Sequence, residues 1–212
     1  MKAIPAEWNI NIIGAWNVAI FAPAWVKDKL FQLPAEQTIQ VEMLLDMVSP
    51  PRFTSNQGVR VVPDERQLQL SCTENNYENL DKAKQLAIRA LTELPVTPVR
   101  AVGINVRYKL EDPPSEFLSL LNSAIDDPLQ DRKWKIVGRS FGRSLTWGEG
   151  VLNLAVNFDD ANGATVICNF HIESGERQQL LQWLARPTAE FRAQVDQLLT
   201  QILRLPLTEA EE

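Results

Sequence analysis

Apolar and polar positions alternate over long stretches of this chain. The clearest run is Val99–Leu110, VRAVGINVRYKL, where Val102, Ile104, Val106, Tyr108 and Leu110 fall on one side. Ala101, Gly103, Asn105, Arg107 and Lys109 fall on the other. A period of two over that length predicts a strand with one face in a core. The same pattern predicts a strand over 10–20, ended by Pro23, and others over 39–47, 59–62, 67–72, 152–158 and 166–172. Residues 133–147 also read as a strand, with Gly138 and Gly142 suggesting a bulge or bend. The segments SPPRFTSNQG, Pro63-Asp64-Glu65, Gly148-Glu149-Gly150 and DDANG read as turns and loops, and DDPLQDR as a polar loop.

The period lengthens to three or four in Leu80, Ala83, Ala87, Leu91 and Leu94, which predicts an amphipathic helix. Asn75 and Asn76 are its candidate caps and Pro95 its stop. A short helix is expected between Pro23 and Pro34, and another after Pro113-Pro114 with Ser115 as cap. Two helices close the chain, over 178–185 and from Pro187 onward, where Phe191, Val195, Leu198, Leu199, Ile202 and Leu205 form one stripe. The acidic tail 208–212 is expected to fray.

The elements recur in order. Strand, short helix, antiparallel strands and long helix occupy about 8–95 and again about 98–206. The predicted fold is α+β: a broad antiparallel sheet with helices mainly on one face. It would be made of two β-α-β-β-β-α repeats, 1–96 and 97–212, related by a pseudo-twofold within one compact unit. Asn17-Val18 matches Asn105-Val106 at an offset of 105 − 17 = 88, and Cys72 and Cys168 each precede the closing helices. Leu94-Pro95 and Leu205-Pro206 each end a long helix.

In this element order, with NIIGAWNV in the first strand and SPPRF before a later one, the chain resembles the TATA-binding protein family. The resemblance implies a doubled sheet whose joined halves leave one curved face bare for binding. It is a likeness of topology and carries none of that family's residues with it. That family's DNA-binding face needs positive potential and apolar wedges, and the corresponding positions here are small and polar.

Composition narrows the function. The 212 residues are 45% hydrophobic and 23% charged, enough for a sizeable core and unlike a disordered chain. The formal net charge of -6 opposes loose phosphate-driven binding to nucleic acid. With two cysteines and no long pure apolar run, a reducing, cytoplasmic setting without a membrane partner is expected. No Walker, GxGxxG, GxSxG or HExxH motif is present, so neither cofactor nor reaction is assigned and an enzyme is disfavoured.

The candidate chemistry is sparse. His171, the one histidine, falls opposite the apolar side of its strand with only Asn169 and Glu173 near it, and reads as solvent-facing. Cys72 and Cys168 fall on apolar sides and read as buried thiols, with no spacing suited to a metal. Asp159, Asp160 and Asn162 read as a hairpin turn, lacking the ligand offsets of a calcium loop. The six tryptophans fit a core better than an interface. The favoured function is a non-enzymatic binding or assembly module, with Asn17, Asn105 and Arg107 on the bare face holding a protein partner or a second copy. The rival is a nucleic-acid contact through Lys133, Lys135, Arg139, Phe141 and Arg143, which would share one face of an unbroken strand.

Overall fold

The structure is a computed structural model, and it describes residues 3–43 and 49–205. In chain order its strands are β1 (Ile4–Pro5), β2 (Asn9–Gly14), β3 (Gln40–Glu42), β4 (Arg52–Thr54), β5 (Val59–Pro63), β6 (Gln67–Cys72), β7 (Val99–Leu110), β8 (Gly138–Trp147), β9 (Gly150–Asp159) and β10 (Gly163–Glu173). The helices are α1 (Pro23–Trp25, continued by the π-helical turn Val26–Phe31), α2 (Tyr77–Glu93), α3 (Ser115–Ser119), α4 (Asp126–Asp131), α5 (Arg177–Leu184) and α6 (Thr188–Gln197, continued by the π-helical turn Leu198–Ile202). The ten strands form one antiparallel sheet in the order β3-β4-β5-β6-β2-β7-β10-β9-β8. β1 extends the line of β2 along β7, after a kink at Glu7, whose φ is 56°. The α+β class expected from the alternation is therefore present.

The two-residue period explains why the sheet has two unlike faces. Ile10, Ile12, Leu68, Leu70, Val102, Ile104, Val106, Val166, Cys168, Phe170, Leu152, Leu154 and Val156 all point to one side and are buried in a single core with the helices. α2 supplies Leu80, Ala83, Leu86, Ala87 and Leu91 to that core and packs on β2, β5 and β6, while α5 packs on β7 and β10. Each fully buried leucine contributes about 1.5–3 kcal/mol.

The two candidate caps of α2 divide their work. Asn76 Oδ1 accepts from the Asn79 backbone N–H at 2.8 Å, and Asn75 Oδ1 accepts from the Trp8 N–H at 2.7 Å, which ties the helix start to β2. At the other end the Arg177 guanidinium donates to Leu91 O, a carbonyl the helix leaves open, at 2.7 Å, and to Thr97 O in the loop that follows. The side chain of Lys84 is buried between α2 and α6, where Nζ donates to Arg186 O and, at 2.9 Å, to Thr188 Oγ1. Trp147, Phe170, Trp183 and Phe191 pack edge-on or tilted under α6.

Several expectations need correction. The first strand stops at Gly14 instead of running to residue 20. There the register breaks, and the backbone divides between neighbours: Gly14 N donates to Arg66 O, Ala15 N to Pro98 O and Trp16 N to Glu65 O. Trp16 turns back to bond Ile12 O through its indole N–H. Ser115 opens α3 without capping it, because Pro114 holds the cap position. Residues 126–131 form α4, not a loop. β8 carries no bulge, since its register with β9 is unbroken from Gly138↔Asp159 to Trp147↔Gly150. Of the strand expected over 39–47, β3 accounts for Gln40–Glu42, and 44–48 lie outside the described residues, as do 206–212 with the acidic tail.

Candidate functional site

The second face of the sheet is polar, and its centre is a row of amides. Antiparallel pairing sets Asn9 (β2) opposite Asn105 (β7), Asn105 opposite Asn169 (β10), Asn169 opposite Asn153 (β9), and Asn153 opposite Ser144 (β8). Each step crosses one strand, a spacing of about 4.8 Å. The side chains join hands in one direction. Ser144 Oγ donates to Asn153 Oδ1 at 2.7 Å, and Asn153 Nδ2 donates to Asn169 Oδ1 at 3.1 Å. Asn169 Nδ2 donates to Asn105 Oδ1 and Asn105 Nδ2 to Asn9 Oδ1, both at 2.8 Å. Asn11 Nδ2 also donates to Asn9 Oδ1, at 3.0 Å, and Asn9 Nδ2 ends the row on Glu7 O at 3.2 Å.

This ladder spends only part of the amides' capacity. A primary amide offers two donors and two lone pairs; in the row Asn105, Asn169 and Asn153 each use one of either kind. All three side chains are half-buried, and their near neighbours Gly103 and Ala155 are small. Space is tight at Gly103: an added Cβ would sit 3.2 Å from Asn169 Nδ2, which would have to shift slightly, and 3.7 Å from His171 Nδ1. Asn11 Oδ1 is buried without a hydrogen-bond partner beside it.

Charge on this face is mostly paired. Arg107 is ion-paired with Glu7, which the left-handed turn at Glu7 brings to it. Arg60 and Glu42 lie 3.8 Å apart. His171 Nε2 meets Glu173 Oε1 at 3.1 Å. What the row's amides offer chemically is hydrogen-bond donors and acceptors.

Of the three residues expected on the face, Asn105 stands at the middle of the ladder and Arg107 two positions along the same strand. Asn17 is elsewhere: its side chain accepts from the Ala19 N–H at 3.2 Å and caps the short 3-10 turn Val18–Ile20, outside the sheet. The position facing Asn105 is Asn9, not Asn17, so the 88-residue match does not correspond to a pairing. Sequence reasoning noted the polar sides of four strands but missed the row, because register between distant strands decides it.

The basic run is divided as well. Arg139, Phe141 and Arg143 share the helix-side face of β8, but the strand begins at Gly138, so Lys133 and Lys135 are not on it. Arg139 is held by Asp126 at 2.8 Å, and Lys135 lies 3.4 Å from Asp160. The Arg139 hydrogen bond keeps the Asp126 carboxyl below the usual carboxylate range. The Arg143 guanidinium lies 5.8 Å from the Phe141 ring.

The remaining candidates take structural places. Asp159 Oδ1 accepts from the Ala161 and Asn162 backbone N–H groups at 2.7 and 3.2 Å, closing the hairpin. Cys72 and Cys168 are buried, unpaired thiols whose pKa burial pushes up to about 12. Among the described residues no group of three His, Cys, Asp or Glu side chains could hold a metal ion, and no helix is long and apolar enough to cross a membrane.

Fold and face together define an α+β protein with one helix-covered and one amide-lined sheet face. No protein-family model, no curated protein and no solved structure matches the chain.

Proposed function

We propose that this protein is a non-enzymatic binding or assembly module that takes a protein partner on the amide-lined face. The observation that carries the reading is the unidirectional row Asn9–Asn105–Asn169–Asn153 with Ser144 at its end. Asparagine is among the residues depleted in strands, so four in register across four strands run against local preference. Such conflicts are expected where function overrides stability. The unspent donors and acceptors of the row offer a neutral, hydrogen-bonding surface suited to peptide groups.

The strand order supports reading the chain as a doubled unit, as in the resemblance to the TATA-binding protein family. From the central pair β2 and β7, the order outward is β6, β5, β4 on one side and β10, β9, β8 on the other, with the short β3 as an additional strand beyond β4. The unpaired buried thiols support a reducing compartment such as the cytoplasm.

The test is capture of partners from the protein's own cells by three forms of the chain. Asn105→Ala combined with Arg107→Ala should keep the fold and lose the partner. Arg192→Ala, on the exposed side of α6, should keep both. Equal capture by all three refutes the reading. Oligonucleotide binding that weakens steeply with salt would replace it with phosphate contact.

A further inference from the structure

The sheet ends differently on its two sides. On one side the last strand is β3, three residues long. On the other it is β8, ten residues long and, among the described residues, paired only with β9. Every second N–H and C=O of β8 therefore points away from the sheet. Free edges are usually guarded by proline, charged side chains or a bulge; Gly138–Trp147 has neither proline nor bulge, and of its two arginines Arg139 is taken by Asp126.

Two further observations say what approaches this edge. Leu145, Leu120 and Ile202 are exposed beside it, and Leu120, Ile202, Leu121, Leu203 and Phe141 line a groove of about 350 Å³ along it. Gly142 lies in mid-strand, and its carbonyl accepts from the Arg143 guanidinium at 2.7 Å, a bond that pairing with another strand would replace. A Cβ there would meet nothing nearer than Leu154 O at 3.8 Å, and its φ is not left-handed. The position is therefore open to a residue of a second strand, with or without a side chain of its own.

We propose that β8 is the interface of a two-fold homodimer, in which the β8 strands of two copies pair antiparallel and the two sheets run on as one. The strand's charges favour a second copy as the occupant and exclude the two registers next to the one centred on Gly142. Pairing about Gly142 sets Arg139 opposite Leu145 and Phe141 opposite Arg143 of the second copy, so no like charges meet. The cation-over-ring contact that Arg143 makes with its own Phe141 is then repeated between copies. Pairing about Phe141 would set Arg139 against Arg143, and pairing about Arg143 would set that residue against itself. The Gly142 register also uses nearly the whole strand. The axis is perpendicular to the sheet, so both helix layers lie on one side and the two grooves, of mixed apolar and polar lining, face each other. Such an interface is closed and uses one patch twice. It shares no residue with the partner-binding reading apart from Ser144 and stands without it.

Light scattering on the full chain tests the assembly, with oxidative cross-linking to fix the register. At about 50 µM the wild-type chain should have twice the 24.0 kDa mass of one copy. Gly142→Cys should form a covalent dimer under mild oxidant, since the buried Cys72 and Cys168 do not compete. Leu145→Arg places arginine against Arg139 of the second copy and should weaken the dimer at least about tenfold, whereas Leu145→Glu should keep it. A monomeric wild-type chain overturns the proposal. So does a dimer in which Gly142→Cys fails to cross-link, because it must use another surface. Circular dichroism identifies a variant that has lost its fold; the cross-link in the Gly142→Cys chain then decides alone.

Discussion

Replacing Asn105 tests whether the amide row is one coupled unit. The Asn105 side chain donates one hydrogen bond and accepts another, both 2.8 Å long and half-buried. At a net value of about 0.5–1.5 kcal/mol per bond, Asn105→Ala should cost about 1–3 kcal/mol. For a chain of this length that lowers Tm by roughly 2–4 °C per kcal/mol. Asn169→Ala removes the same Asn169–Asn105 bond, so the double variant should lose about 0.5–1 kcal/mol less than the sum of the single losses. Asn105→Asp is more informative. A carboxylate can only accept, so it would set an oxygen against Asn9 Oδ1. Turning Asn9 over to offer Nδ2 would abandon the bond from Asn11. The protonated acid can donate, so folding should raise this aspartate's pKa above its unfolded value of about 3.9. A folded pKa raised in this way means the native state binds the extra proton. The variant should therefore recover stability relative to the wild type as pH falls through the folded pKa toward about 4. Urea unfolding followed by circular dichroism from neutral to acid pH reads all four chains. Additivity of the alanine variants within about 0.3 kcal/mol, with a pH-independent gap for Asn105→Asp, would refute the coupling.

Three further outcomes follow from the geometry. With both thiols pushed up to about 12 and buried, Cys72 and Cys168 should ignore a thiol reagent at neutral pH until the chain is unfolded, when both react; rapid titration of either in the native protein would contradict their burial. Because Arg139 holds the Asp126 carboxyl below its unfolded pKa of about 3.9, the ion pair's contribution is complete above that value and is lost as pH falls through the folded one. Asp126→Asn should thus have a lower urea midpoint at neutral pH and a smaller further loss on acidification, and parallel acid curves for the two proteins would count against the pair. Gly14→Ala would bring a Cβ to 2.5 Å from the Pro98 carbonyl oxygen, forcing β2 and β7 apart at that end for about 1–3 kcal/mol; an unchanged denaturation midpoint would show that the backbone yields at no cost.

How much could be read from the sequence depended on the range of the interaction. Strands β5, β6, β7, β9 and β10 and the long helix α2 follow local periods, and the residues that bury them lie within a few positions of each other. The first strand was read too far because Trp16 and Val18 continue the alternation. What stops it is contact with Glu65 and Pro98, far away in the chain. The short helix α4 hides in a polar segment, where Asp126 is used to hold Arg139 and periodicity says nothing. The amide row is a still longer-range property. Asn9, Asn105, Asn153 and Asn169 each sit on the polar side of a recognisable strand, but only the register across four strands makes them neighbours. Asn17 was equally plausible by composition and fails because the strand has already ended.

The ladder and the free edge bear on each other through symmetry. Ser144 ends the row on β8, the strand proposed to pair with its own copy. A two-fold axis perpendicular to the sheet keeps both amide-lined faces on the same side. Pairing about Gly142 sets Ser144 opposite Ser140 of the second copy, so the two rows do not run into one another. They lie side by side, displaced by about four residues of strand, or roughly 13 Å, and point in opposite directions. A dimeric or repeating partner would then meet two identical rows at once, and the second contact would form at the high effective concentration set by the shared sheet. Leu145→Arg leaves every amide of the row in place. It should therefore keep single-site partner affinity while abolishing the gain from bivalency, a separation that surface binding without a dimer would not produce.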